Sequence, residues 1–393
     1  MRALEILQER FFRRIDFLHA ARAQALLRAV VALISGRRLW LTALGRAWPT
    51  TAHRKHGIKA VDRLLGNGHL HRERFSVAAA LVALVLPKRC QPVVLVDTME
   101  IRDKVVAVTA SLAHAGRSFP IWSTTISALR LNAWQGRRFL RELGRVLPQD
   151  CRPILVTDAG FESAWLNEVV RLGWDYVCRV RGQTKFLYHG KQVGCPELHR
   201  LASGRARNLG LIGFPLRSPQ QRRLVLSSVP KSGHRRVKTR RGPGNDSNYR
   251  HYRKNAHEPL LLTTSLSCRP SQVVSIYSLR MQIEESFRDL KCHRWGWSLR
   301  HCRSRSRARL EILLLVASIA IVIQQLVGLA GEACGLSQRH QANTVRSRRV
   351  LSVFLLGAYL LGTRDAEFIT AASIDSATTR LRNEIGKLAP PKC

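Results

Sequence analysis

The sequence predicts an α/β fold: a mixed sheet flanked by helices, interrupted by a basic insertion, with helical regions at both ends. Three observations carry this. Short apolar, Val-rich runs recur between residues 91 and 182 and resume near 259. Amphipathic segments with three-to-four spacing alternate with those runs. The first 90 residues show only the helical period.

Residues 1–90 form the predicted helical N-terminal region. "IDFLHAARAQALLRAVVALISG" has the helical spacing, and the next segment has Thr42 as an expected N-cap, a break at Pro49 and a second helix ending at Gly66. Arg46, Arg54, Lys55, Lys59 and Arg63 cluster on these two short helices. Such a pair suits a DNA-reading module, and a solvated basic face is the alternative.

Residues 91–182 read as the first part of the sheet. "PVVLVDTMEI", "VVAVTASLA", "FPIWSTTISAL", "RPILVTDAGF" and "DYVCRVRG" are strands, with helices at "WQGRRFLRELGRVL" and "SAWLNEVVRLG". Residues 183–258 lose the pattern and are rich in Arg, Gly, Ser and Pro. This segment reads as an inserted, β-rich basic subdomain with a charged loop from Pro230, outside the main sheet. Residues 259–335 return to the sheet at "PLLLTTSLS" and continue into the helix "IYSLRMQIEESFRDLK". The apolar run "ILLLVASIAIVI" is about twelve residues, too short for a bilayer, and predicts a buried helix. Residues 336–393 form a basic C-terminal region for DNA contact or dimerisation.

Composition narrows the partner. The chain has 393 residues and a net charge of +39, a field that attracts polyanions. Nucleic acid is the first candidate and an anionic membrane surface the second. The N-terminus has no continuous apolar segment of signal-peptide type. Nine cysteines without a C-x-x-C pair fit a reduced, cytoplasmic chain, and the spacings of Cys195, His199, Cys292, His293, His301 and Cys302 match no common zinc pattern.

With only 26 acidic residues, the place of each acid matters. Asp97 ends "VVLVD" and Asp158 ends "ILVTD", both expected at the C-terminal ends of strands, where an open sheet binds ligands. Asp158 reads equally as a cap for the following helix. Read as one continuous helix, "IYSLRMQIEESFRDLK" places Tyr277, Arg280, Glu284 and Lys291 within an arc of about 60°. An Arg280–Glu284 ion pair is the plainer reading of that helix. Glu285 and Asp289 face elsewhere and are expected to make helix-surface pairs with arginines. Three close carboxylates need cations, and hard oxygen donors suit two Mg²⁺ ions, with Mn²⁺ as substitute.

Tyr277, Arg280, Glu284 and Lys291 also match Y-x2-R-x3-E-x6-K without a gap, and "VLVDTMEIRD", "VTDAGFESAWLNEVVRLGWDYVCRVRG" and "LRHCRSRSRARLEILLL" accompany them. These residues resemble the bacterial insertion-sequence-four family of DDE transposases, over about Leu41 to Ser352. The resemblance implies an RNase H-like core with Asp97, Asp158 and Glu284 as metal-binding triad. It implies cut-and-paste transposition through a hairpin, with Tyr277, Arg280 and Lys291 on phosphates. It also implies a homodimer pairing two transposon ends in the bacterial cytoplasm, with DNA rather than a small molecule or a membrane as partner. An aromatic of the insertion would stack on a flipped base; Phe186, Tyr188, Phe214, Tyr249 and Tyr252 are the candidates.

Overall fold

A computed structural model describes residues 2–87, 89–102, 105–114, 116–127, 131–215, 220–228, 258–294, 296–342, 344–345 and 349–390. Contacts divide the chain into two compact units, Met1–Pro153 with Met281–Ala389, and Ile154–Arg280 with Pro390–Cys393.

The first unit opens with α1 (Arg2–Phe12), α2 (Ala20–Gly36), α3 (Leu41–Arg46), α4 (Arg54–Leu65) and α5 (Gly68–Val85). Thr42 is not the N-cap of α3. The helix begins at Leu41 after an extended Trp40, so Thr42 already lies in its first turn. α3 and α4 meet through two glycines. A Cβ on Gly45 would lie 2.4 Å from the Ile58 Cα, and one on Gly57 would lie 2.3 Å from the Gly45 carbonyl oxygen. Only hydrogen fits at either position, so the two backbones approach closely.

Three antiparallel strands follow in the order β3-β2-β1: β1 (Val93–Arg102), β2 (Val105–His114) and β3 (Arg117–Ile126). β1 corrects one expectation. The strand continues five residues beyond Asp97, which sits in mid-strand opposite Thr109. The alternation of Met99 and Ile101, both buried, with exposed Glu100 carries the strand onward as a one-sided surface. α6 (Ala133–Val146) is closed at its start by a reciprocal Asn132–Gln135 capping box.

The second unit holds β4 (Ile154–Thr157), α7 (Ser163–Arg171), β5 (Asp175–Arg179), β6 (Lys185–Tyr188), β7 (Lys191–Gly194), α8 (Cys195–His199), β8 (Arg207–Phe214), β9 (Gln220–Ser227), β10 (Leu260–Thr264) and α9 (Pro270–Ser278). Its strands run β4-β5-β10-β9-β8-β6-β7, with β4 and β5 parallel and the remaining pairs antiparallel. The mixed sheet flanked by helices is therefore as expected, and the insertion is β-rich. Its separation from the sheet was not correct: β9 pairs with β10 from Leu260 to Thr264. Phe186 and Phe214 meet edge-on at 5.2 Å over a core that includes Cys195, Ile212, Leu224 and Leu261. These apolar positions are spaced among arginines and glycines, which hid the strand period. The charged loop between 229 and 257, with Tyr249 and Tyr252, lies outside the described residues.

α10 (Met281–Lys291) returns the chain to the first unit. The expected continuous helix from Ile276 to Lys291 is two helices, because α9 stops at Ser278. The Leu279 and Arg280 N–H groups donate to the carbonyls of Ile276 and Tyr277, three residues back, which tightens and ends the turn. The four residues therefore do not lie on one helix. No proline or glycine marks the break, so the periodicity passes through it.

α11 (Arg307–Ala333), α12 (Val353–Leu361) and α13 (Ala371–Lys387) complete the unit. α11 is longer than its twelve-residue apolar run suggested: at 27 residues it meets the length and hydropathy of a membrane span. Its apolar window is wholly buried among protein, as expected of a core helix. Buried amides on it are satisfied internally, Gln324 donating to the Phe354 carbonyl at 2.7 Å and Gln325 bonding His114 at 2.9 Å.

Candidate active site

The first unit gathers Asp97, Glu284 and Lys291. Asp97 projects from β1, half-buried, and its Oδ1 accepts the Thr98 N–H at 2.7 Å. Glu284 lies in the first turn of α10, at the positive end of the helix dipole, which favours a carboxylate. Lys291 lies in the last turn of the same helix. All three line one cavity of about 410 Å³, together with Thr98, Phe287 and Arg300. The Lys291 pKa is lowered, first by burial and then by Arg300, while Glu100 and Asp97 act in the opposite direction.

α10 is fixed against its own sheet from another side. Arg117 on β3 contacts Glu285 at 3.3 Å and Asp289 at 3.3 Å, and Arg288 holds Glu285 at 2.8 Å. Glu285 makes the helix-surface pair expected of it, with Arg288, whereas Asp289 pairs with Arg117 on β3 and not with an arginine of its own helix. Ser286, buried on this helix, donates to the Ser118 carbonyl at 2.8 Å.

The second unit gathers Asp158, Tyr277 and Arg280. Asp158 follows β4, as the sequence indicated, and its Oδ1 accepts the Gly160 N–H at 2.9 Å in a local turn. It does not cap α7, whose N-cap position is Glu162. The Cys178 thiol, pushed up to about 12 by burial, donates to the Asp158 carbonyl at 3.3 Å. Tyr277 is buried, and burial raises its pKa against the opposing charges of Arg280 and Arg179, with Asp158 adding to the rise. The charges of Arg179 on β5 and Tyr277 bear on one another, and the Arg179 pKa is itself lowered chiefly by burial.

Sequence reasoning passed over Arg179 and Arg300. Arg179 stands at the end of a strand, a position the acids on other strands had already made significant. Arg300 belongs to the run "LRHCRSRSR", where one arginine among several carries no distinguishing signal. Arg46, Arg54, Lys55, Lys59 and Arg63 are all exposed on α3 and α4, and Arg54 Nη1 donates to the Arg46 carbonyl at 2.8 Å.

Asp97 and Glu284 offer hard carboxylate oxygens around one cavity, a donor set that fits Mg²⁺ or Mn²⁺ better than a soft-ligand metal. Among the described residues no group of three or more His, Cys, Asp or Glu side chains stands together as a ready chelator.

Comparison with known families matches residues 133–322, just under half of the chain, to the model described as the transposase DDE domain. The matched span contains Asp158, Tyr277, Arg280, Glu284 and Lys291; Asp97 lies before it. The match supports a transposase function and agrees with the α/β core. No curated protein matches the chain.

Proposed function

We propose that the chain is the transposase of a bacterial insertion sequence of the insertion-sequence-four type, moving its element by cut and paste. The observation that carries this is the placing of Asp97 and Glu284, from a strand and a helix start, on one cavity with Lys291. The transposase DDE match over 133–322 supports it independently.

In this reading Asp97, Asp158 and Glu284 hold two Mg²⁺ ions, for which Mn²⁺ can substitute. Bound there, such cations supply Lewis-acid activation of water and neutralise charge on the leaving oxygen. The protein's own groups hold and orient the strand. Lys291, Arg280 and the Tyr277 hydroxyl bind phosphates beside the scissile bond, the cations by charge-assisted hydrogen bonds and the phenol as a neutral donor.

Hydrolysis of one strand frees a 3′-OH at the element's end. That hydroxyl attacks the opposite strand, exchanging one phosphodiester for another and closing a hairpin. Water reopens the hairpin, and the 3′-OH then joins target DNA by a second exchange.

Arg46, Arg54, Lys55, Lys59 and Arg63 bind the terminal inverted repeats, chiefly through phosphates. Two protomers pair the two ends in a synaptic homodimer, in the cytoplasm at the nucleoid. Neither a small-molecule substrate nor a membrane has a part in this reading.

The test is direct. Full-length protein is incubated with Mg²⁺ and duplexes carrying its element's flanking terminal repeats, and products are resolved for hairpins and joined target. Cutting of DNA without those ends, with no joined product, would make it a stand-alone nuclease. Binding without any cutting would make it a catalytically silent remnant.

A further inference from the structure

The segment after α10 is held more firmly than a connection requires. The Trp297 N–H donates to the Asp289 carbonyl at 2.9 Å and the Ser298 N–H to the Cys292 carbonyl at 3.1 Å. A Cβ on Gly296 would lie 1.9 Å from the Asp289 oxygen, so no larger residue fits there. Trp297 is buried, and Ser298 is buried in the left-handed region at φ 57°. Arg38 donates to the Ser298 hydroxyl at 2.8 Å, and the Leu39 N–H donates to the Trp297 carbonyl at 2.8 Å. These bonds tie the segment to the chain that enters α3.

What they hold in place is the short 3₁₀ turn Leu299–His301, anchored by fully buried Leu299. Its next two side chains are both exposed. Arg300 lines the cavity of Asp97, Glu284 and Lys291. The His301 ring lies 6.0 Å from the Trp40 ring and 5.2 Å from that of His293, and the Arg38 guanidinium stands 5.8 Å over Trp40.

We propose that this turn is a binding subsite for single-stranded DNA, in which Arg300 and Lys291 hold one backbone phosphate and the Trp40–His301 ring pair takes a neighbouring unpaired base. Two cations on one small cavity repel each other, and a bound phosphate relieves that repulsion. Rings beside a guanidinium give a base a face to stack on. A base within a duplex already has both faces covered, so the ring pair favours an unpaired strand. The inference deepens the proposed function and rests on it, because it names the strand held next to the acids.

Full-length protein, with divalent ions chelated, is irradiated with a mixed-sequence single strand containing bromodeoxyuridine, and the crosslinked peptides are mapped. Crosslinks are expected at Trp40 or His301. Arg300→Ala should lower their yield roughly tenfold, as for loss of a charged hydrogen bond. Arg300→Lys should restore part of it. Arg28→Ala, which removes an exposed arginine of α2, should leave the yield unchanged. Trp40→Ala should reduce the single-strand preference over duplex, with circular dichroism confirming the fold of each variant.

Crosslinks mapping only elsewhere, or equal losses in Arg300→Ala and Arg28→Ala, would overturn the subsite. A single-strand preference unchanged by Trp40→Ala would overturn its ring half. Because chelation prevents cutting, the outcomes separate: crosslinks here without cutting in Mg²⁺ sink the transposase reading, and cutting without these crosslinks sinks the subsite alone.

Discussion

Arg117 on β3 contacts Asp289 on α10 at 3.3 Å, with about a fifth of each side chain exposed. The pair locks α10 to its sheet from the side that carries Glu285, leaving Glu284 to line the cavity. Arg117→Ala leaves a poorly solvated carboxylate without its partner. We expect a loss of about 2 kcal/mol in stability, read from the urea midpoint.

Glu284 and its neighbour Glu285 provide an internal control. Asp97→Ala, Asp158→Ala or Glu284→Gln should each reduce strand cleavage on the order of a thousandfold, while end-DNA binding persists. Glu285→Gln should retain cleavage, because that carboxylate is engaged by Arg117 and Arg288. Full cleavage by Glu284→Gln would remove it from the site.

Lys291→Ala should weaken binding to end DNA and lower the slope of log affinity against log salt by roughly 0.9, the effect of one lost phosphate contact on duplex. An unchanged slope in a salt titration would exclude the phosphate role.

The α3–α4 contact has no room at Gly45. Gly45→Ala should cost about 1–3 kcal/mol by overpacking. If these helices read the transposon end, the variant should also lose end binding while keeping affinity for non-specific DNA. Competitive gel-shift measurements separate the two.

Buried His114 and half-buried Asp289 should give opposing pH dependences. Burial lowers the His114 pKa to about 4 from 6.5, so the unfolded chain binds the extra proton and stability falls as pH drops from about 6.5 to 4. Burial raises the Asp289 pKa to about 6 from 3.8, so the folded chain binds the extra proton and stability falls as pH rises from about 4 to 6. His114→Gln should unmask the second trend and Asp289→Asn the first. Denaturation midpoints across pH 4–7 would check both; parallel profiles in the wild type and both variants would refute them.

The sequence by itself determined the α/β class, the helical first 90 residues, the strand before Asp158, and the acids and cations worth pursuing. These were legible because strand and helix periods are local, and because acids are scarce against a charge of +39. Tertiary structure decided where elements stop and what they pack against. Side-chain spacing reports which face is buried but is blind to an unmarked break, so it carried one helix through Leu279 and Arg280. It also set Asp97 at a strand end, although buried Met99 and Ile101 carry β1 onward against β2. Pairing of β9 with β10 is a contact between residues far apart in sequence, which no local pattern encodes. Arg300 is the sharpest case: one arginine in a basic run, distinguished only because buried Trp297 and Leu299 hold its turn beside the cavity of Asp97 and Glu284.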